Sequence, residues 1–215
     1  MNDDVQLICF DLGRVLVRIC DGWKHACAAA GIAAPTGELD STANAALHDA
    51  VCRSEVGEIS IDEFSRRCAP VLGLRPQDVK LISDAYILGV YDGVPQLLSD
   101  LKAAGRPTAC LSNTNENHWR IMDDPAEPYV AALRQFDHRF ASHLLRDRKP
   151  NPSIYAKVED AVKLRGEQIM FFDDLPENVA AARARGWQGH QIAIDSDPVA
   201  QIRRHLDAAG IWQRS

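Results

Sequence analysis

No stretch of this 215-residue chain approaches the roughly 18 consecutive apolar residues of a membrane-spanning helix, so no bilayer insertion is expected. Lysine and arginine never gather into a run and the formal net charge is −6, which excludes the electrostatic footprint of a nucleic-acid or anionic-membrane binder. A small anionic substrate would need a local positive site instead. The six cysteines stand at 9, 20, 27, 52, 68 and 110 with no Cys-x-x-Cys pair and no clustered histidine, a spacing that disfavours a zinc site and a disulfide framework. Cys9 and Cys110 fall in strand-like runs as small core residues. The opening MNDDVQ is polar and lacks a leader-type apolar region, and the expected location is the cytoplasm. Internal repeats, low-complexity tracts and long linkers are also missing.

What is present is 46% hydrophobic residues over a length that can bury one good core, or a core and a small lobe. LICF, from Leu7 to Phe10, is short and continuously apolar, the mark of a strand buried on both faces of a parallel sheet. From Val15 to about Leu88 no convincing buried strand follows, but helical patterns do. They are DGWKHACAAAG closed by Gly31, STANAALHDAVC behind a Ser/Thr cap, SIDEFSRRCAPVLG with a capping-box pair Ser60 and Glu63, and RPQDVKLISDAYILG. From Val94 the rhythm alternates: helix VPQLLSDLKAAG, strand PTACL, a helix over 129–134, a strand near 140–143, helix PSIYAKVEDAVKL, strand QIMFF, helix ENVAAARARG, strand GHQIAI and helix DPVAQIRRHLDAAG. Strand alternating with helix predicts an α/β fold with a parallel sheet covered on both faces.

Polar clusters close the strands where open α/β sheets bind ligands. Asp11, after LICF, is a potential nucleophile, or alternatively a turn former before Gly13. Ser112 and Asn113, after PTACL, offer a hydroxyl, an amide and N–H donors suited to a phosphoryl oxygen. Lys149 in RDRKP is a cation on a proline-punctuated loop. Asp173 and Asp174, closing QIMFF, are hard oxygen ligands of the type Mg²⁺ prefers, or caps for the next helix. Each cluster alone has an ordinary turn or surface explanation, but all four in this order at one sheet edge are hard to ascribe to chance.

The set resembles the haloacid dehalogenase superfamily. FDLGRVL is similar to its first motif, LSNTN to its second, RDRKPNPSIY to its third and FFDDLPENVAAARARGW to its fourth, together spanning most of the chain. The resemblance implies a Rossmann-like core over 1–16 and 91–215 with an inserted helical cap over 17–90. It also implies phosphatase chemistry: an aspartyl-phosphate on Asp11, Mg²⁺ held by Asp11, the Gly13 carbonyl, Asp173 and Asp174, and phosphate oxygens held by Ser112, Asn113 and Lys149. The nearest subgroup resembles sugar-1-phosphate phosphatases, and the implied partner is a small phosphorylated metabolite.

One position departs from the pattern. Most phosphatases of this superfamily place a second aspartate two residues after the nucleophile as general acid, and here Gly13 stands there. General acid catalysis contributes about 10²- to 10⁴-fold. The substrate then needs a leaving group that departs with little protonation, such as an anomeric, acyl or aryl phosphate, or a donor is borrowed from the cap, with Glu58, His25 and His118 as candidates. Alternatives are a dehalogenase, a phosphonate hydrolase using Lys24 or Lys80 as a Schiff base, or a low-turnover binding or regulatory module. Arg14 and Arg18 flank the site with no assignable role.

Overall fold

The computed structural model describes residues 5–212; residues 1–4, which include most of the MNDDVQ opening, and residues 213–215 at the end of the expected core lie outside it. At its centre β1 (Leu7–Phe10) is buried at every residue. It pairs in parallel with β4 (Thr108–Ser112) on one side and β6 (Ile169–Asp173) on the other. With β5 (His138–Ala141) and β7 (Gln188–Gln191) outermost, the sheet runs β5-β4-β1-β6-β7 and all its pairs are parallel. The continuous apolar runs follow from this: a central parallel strand meets side chains on both faces. On one face Ile8 and Phe10 pack with Leu97 and Leu101 of α5 (Val94–Ala103) and Ile202 and Leu206 of α10 (Pro198–Ala208). On the other, Leu7 and Cys9 pack with Ile154 and Val158 of α8 (Pro152–Val162) and Ala182 of α9 (Pro176–Ala184).

Four helices stand between β1 and the rest of the sheet: α1 (Gly22–Ala29), α2 (Ser41–Glu55), α3 (Ile61–Leu72) and α4 (Pro76–Asp84). They have cores of their own. Leu47, Phe64, Cys68, Leu72 and Val79 form one, Cys20, Ala26, Cys27 and Ile82 a second, and Trp23 packs against both. The Trp23 and Phe64 rings stack at 6.2 Å between centroids. No helix among the described residues is long and apolar enough to cross a membrane. The six cysteines are free thiols.

The region from Val15 to Leu88 does contain strands, contrary to expectation. β2 (Val17–Ile19) and β3 (Ile87–Val90) form an antiparallel ribbon where the chain leaves the sheet region and returns to it, so the fourth helix ends at Asp84 and YILG does not continue it. These strands are three and four residues long and only partly buried, too short for periodicity to register. The α2 cap is Asp40, whose side chain accepts from Ala43 N at 2.7 Å, not a Ser/Thr. Ser60 caps α3 as expected, but Glu63 turns to Arg66 and Arg67, leaving the box half made. The helix over 129–134 is a 3-10 helix (Pro128–Gln135), the strand near 140–143 ends at Ala141 before α7 (Ser142–Leu145), and GHQIAI is paired only to Gln191.

Candidate active site

Register brings the carboxylates together. Asp11 N donates to the Phe172 carbonyl at 2.8 Å, one step beyond the β1–β6 ladder, so Asp11 and Asp173 emerge side by side at the carboxyl edge. Lys149 reaches the same edge from the loop after α7. Its Nζ lies 2.8 Å from Asp11 Oδ1 and 2.7 Å from Asp173 Oδ2, at 1% exposure. Removing an ammonium from water costs several kcal/mol, and only paired charges offset that in a buried setting. Two carboxylates supply the pairing here, and the Phe171 ring lies 5.5 Å from Nζ. Burial alone would lower the Lys149 pKa, but Asp11 and Asp173 outweigh it and hold the group as an ammonium well above its ordinary value.

Asp11 and Asp174 are both pushed up from the usual carboxylate range. Burial raises the Asp11 pKa to about 7, with Asp173 adding to the rise and Lys149 opposing it. Burial, then Asp173, also raises Asp174. One ammonium does not neutralise three converging acids. Asp11, Asp173 and Asp174 each offer an oxygen within 4.8 Å of the others, the one such acidic group found among the described residues.

The remaining expected residues take distinct places. Ser112 is buried at the end of β4 and, with Gly13 and Asn113, lines a cavity of about 250 Å³ between the rim and the four helices. Asn113 spends its amide on Lys149: Nδ2 donates to the Lys149 carbonyl and Oδ1 accepts from Lys149 N, both at 2.9 Å. It clamps the lysine main chain, which leaves its second Nδ2 hydrogen and its main-chain N–H as the donors it can offer a phosphate. Gly13 faces Ile19, whose Cδ1 would lie 3.2 Å from a Cβ at position 13, so the space an acid there would use is partly filled.

The alternative donors separate. Glu58 is exposed and paired with Arg53, and His25 is exposed and accepts from Asp21 N. His118 lines the cavity but belongs to α6 (Glu116–Asp123), on the sheet side of the chain and not among the four helices. Lys24 is exposed, as is Lys80, which pairs with Asp62. Arg14, in a left-handed conformation, pairs with Asp21 at 3.1 Å, and Arg18 is exposed.

Two parts of the site escaped the sequence reading. Asn178, fully buried on α9, donates to Asp173 Oδ1 at 2.9 Å, while Leu175 N donates to the same oxygen at 2.9 Å, which fixes the carboxylate. A polar residue one turn into the helix after a strand-end acid is the signal that could have found it. Glu55, at the end of α2, lies on the cavity wall paired with Arg148 at 2.9 Å, and nothing local in RSEVGE marks it out.

The parallel α/β sheet thus carries, at one carboxyl edge, a buried lysine between two strand-end carboxylates. The chain belongs to the haloacid dehalogenase-like hydrolases: that family's model matches residues 6–186. Bifunctional epoxide hydrolase 2 of Sus scrofa is 30% identical over 198 residues, covering 82% of this chain but 34% of that protein, so the chain spans about a third of its curated relative. Among solved structures, the fold is shared with the HAD family enzyme bt-2542 of Bacteroides thetaiotaomicron in its magnesium complex (TM-score 0.76, 19% identity, 94% of this chain and 100% of that one). It is also shared with L-2-haloacid dehalogenase of Xanthobacter autotrophicus with chloropropionic acid covalently bound (TM-score 0.62, 18% identity, 96% of this chain and 84% of that one).

Proposed function

We propose that this hydrolase is a magnesium-dependent phosphomonoesterase for a small phosphorylated metabolite, working through an aspartyl-phosphate on Asp11. The observation that carries the reading is the charge of the rim. Three acids meet one ammonium, an excess of two negative charges when all are ionised, in a site made only of oxygen donors. That donor set fits Mg²⁺, with Asp11, Asp173, Asp174 and the Gly13 carbonyl as its holders. When bound, the ion supplies the charge that lets an anionic carboxylate approach an anionic phosphate.

The chain's own groups do the rest. The Asp11 carboxylate attacks phosphorus as the ester P–O bond breaks, and water then hydrolyses the acyl phosphate, dividing one hard displacement into two easier ones. Lys149 orients Asp11 and holds an equatorial oxygen, with Ser112 and the Asn113 N–H on the others, a task of positioning and charge stabilisation. Asn178 keeps Asp173 facing the site. The helices over 17–90 act as a cap on a core of 1–16 and 91–215, so that cavity residues such as Trp23, Phe64 and Tyr86 meet the part of the substrate beyond the phosphate. A sugar ring suits such faces, since aromatic rings present broad apolar surfaces.

Mg²⁺-dependent phosphate release from p-nitrophenyl phosphate, lost on chelation and in Asp11→Asn, is the expected result. Halide release from 2-chloropropionate without phosphatase activity would replace this reading with the dehalogenase one. Inertness toward aryl, acyl and sugar phosphates at saturating Mg²⁺ would replace it with a binding module.

A further inference from the structure

With Gly13 at the usual acid position, no side chain at that position can protonate the departing oxygen. The cavity opening from Gly13, Ser112 and Asn113 has one carboxylic acid on its wall among the described residues, Glu55 at the last position of α2. We propose that Glu55 is the general acid of this site, giving its proton to the leaving-group oxygen as that oxygen parts from phosphorus. The assignment rests on the phosphatase reading above and adds to it a donor from the helical region.

Its surroundings suit the task. Arg148 Nε and an Arg148 guanidinium NH₂ nitrogen approach Glu55 Oε2 at 3.0 and 2.9 Å, whereas Oε1 takes no hydrogen bond from the described residues. Burial raises the Glu55 pKa, with Arg148 opposing, so the group holds a proton to higher pH than a free glutamate yet leaves its carboxylate on a guanidinium. The other ionisable groups facing it are Lys149 from the core loop, His48 and Cys52 from its own helix, and Tyr86 just beyond α4. The rival on the wall, His118, has Nε2 2.9 Å from the Ser83 carbonyl, and burial lowers its pKa, so its ring is neutral and engaged.

The end of α2 is also fixed to the loop that carries Lys149. Ser142 Oγ donates to the Glu55 carbonyl at 2.5 Å, and Arg146 donates to the Gly57 carbonyl. Gly57 has φ +70°, and a Cβ there would come within 2.8 Å of the His143 carbonyl oxygen, so glycine permits the approach. The donor is therefore placed by backbone contacts with the core and not only by packing within the four helices.

The step balances as follows. The Asp11 oxygen forms its bond to phosphorus, the ester P–O bond breaks, and the Glu55 proton passes to the departing oxygen, leaving an alcohol and a carboxylate opposite Arg148. In the second half, that carboxylate takes a proton from the attacking water as the acyl phosphate opens, releasing inorganic phosphate and restoring the acid.

The test compares kcat/KM of wild type and Glu55→Gln on p-nitrophenyl phosphate and on n-butyl phosphate, with Mg²⁺ present. Because kcat/KM reports steps through the first P–O cleavage, the loss expected is about 10²- to 10⁴-fold for the alkyl ester and within about threefold for the aryl ester, whose leaving group needs little protonation. The alkaline limb of the butyl phosphate pH profile should vanish in Glu55→Gln, and Arg148→Met should move it to higher pH. Glu55→Asp should recover part of the alkyl activity. Equal losses on both esters, with an unchanged pH profile, overturn the donor assignment while the phosphatase reading stands. A wild type inert toward both esters overturns both.

Discussion

At the carboxyl edge of the sheet the charged centre of the site is held by polar partners: Asp11 and Asp173 by Lys149, Lys149 by Asn113, Asp173 again by Asn178. The helices over 22–84 contribute differently. Trp23, Phe64 and Ile82 reach the cavity as extensions of cores that exist for packing, and only Glu55 arrives with a charged partner from the sheet side. The difference teaches that the rim is placed by short-range backbone geometry, whereas the far wall of the cavity is placed by the packing of separate apolar clusters.

The sharpest way to break that comparison is Asp11→Asn. Phosphate release should fall at least about 10³-fold, as expected when the nucleophile of a covalent route is removed. Thermal stability should hold or rise, because the change removes one of three crowded acids. A variant that keeps most of its activity would deny the rim its chemical role.

Lys149→Met comes next. It leaves buried carboxylates facing one another without their cation and should cost about 3–5 kcal/mol in denaturant unfolding. The same change in Lys80, exposed beside Asp62, should stay within about 0.5 kcal/mol. Similar losses at the two positions would erase the distinction between rim and helices.

Magnesium sharpens the comparison further. At about 100 times its Kd, an ion bound only by the folded state adds about 2.7 kcal/mol, so melting temperature should climb with Mg²⁺ in wild type. Asp174→Asn should abolish most of the shift and Glu55→Gln none of it. A shift equally reduced by both changes would place the ion elsewhere.

The smallest effect lies away from both regions. His190 stacks on Phe172 at 5.4 Å and lies tilted against His205 at 4.4 Å, and burial, then His205 and Arg183, lowers its pKa from 6.5 to about 4. The unfolded chain therefore binds more protons at this residue between those values, and stability rises with pH from about 4 to 6.5. His190→Phe should flatten that part of a melting-temperature against pH curve, while activity at pH 7 stays put. An unchanged slope would show that His190 titrates normally.

Much of the fold was legible because parallel strands buried on both faces must be apolar throughout, and a polar break after such a run marks the sheet edge. Hence LICF, PTACL and QIMFF led to Asp11, Ser112 and Asp173 directly. The ribbon of β2 and β3 was illegible because three- and four-residue strands with mixed burial leave no period to detect. The family resemblance named Asn113 as a phosphate group, but only its bonds to the Lys149 main chain reveal a clamp. Glu55 was missed because RSEVGE is, locally, just the polar end of a helix.

By itself the sequence determined which strands are central and which acids stand at their ends, since residue type and apolar run length act over a few positions of chain. Only the tertiary structure decided that Lys149 lies between two of those acids, that Ile19 fills the space beside Gly13, and that Glu55 meets Arg148 across 93 positions. The physical reason is range: a strand's burial is written in its own side chains, while the charge balance of a site is set by groups that meet only after the chain has closed on itself.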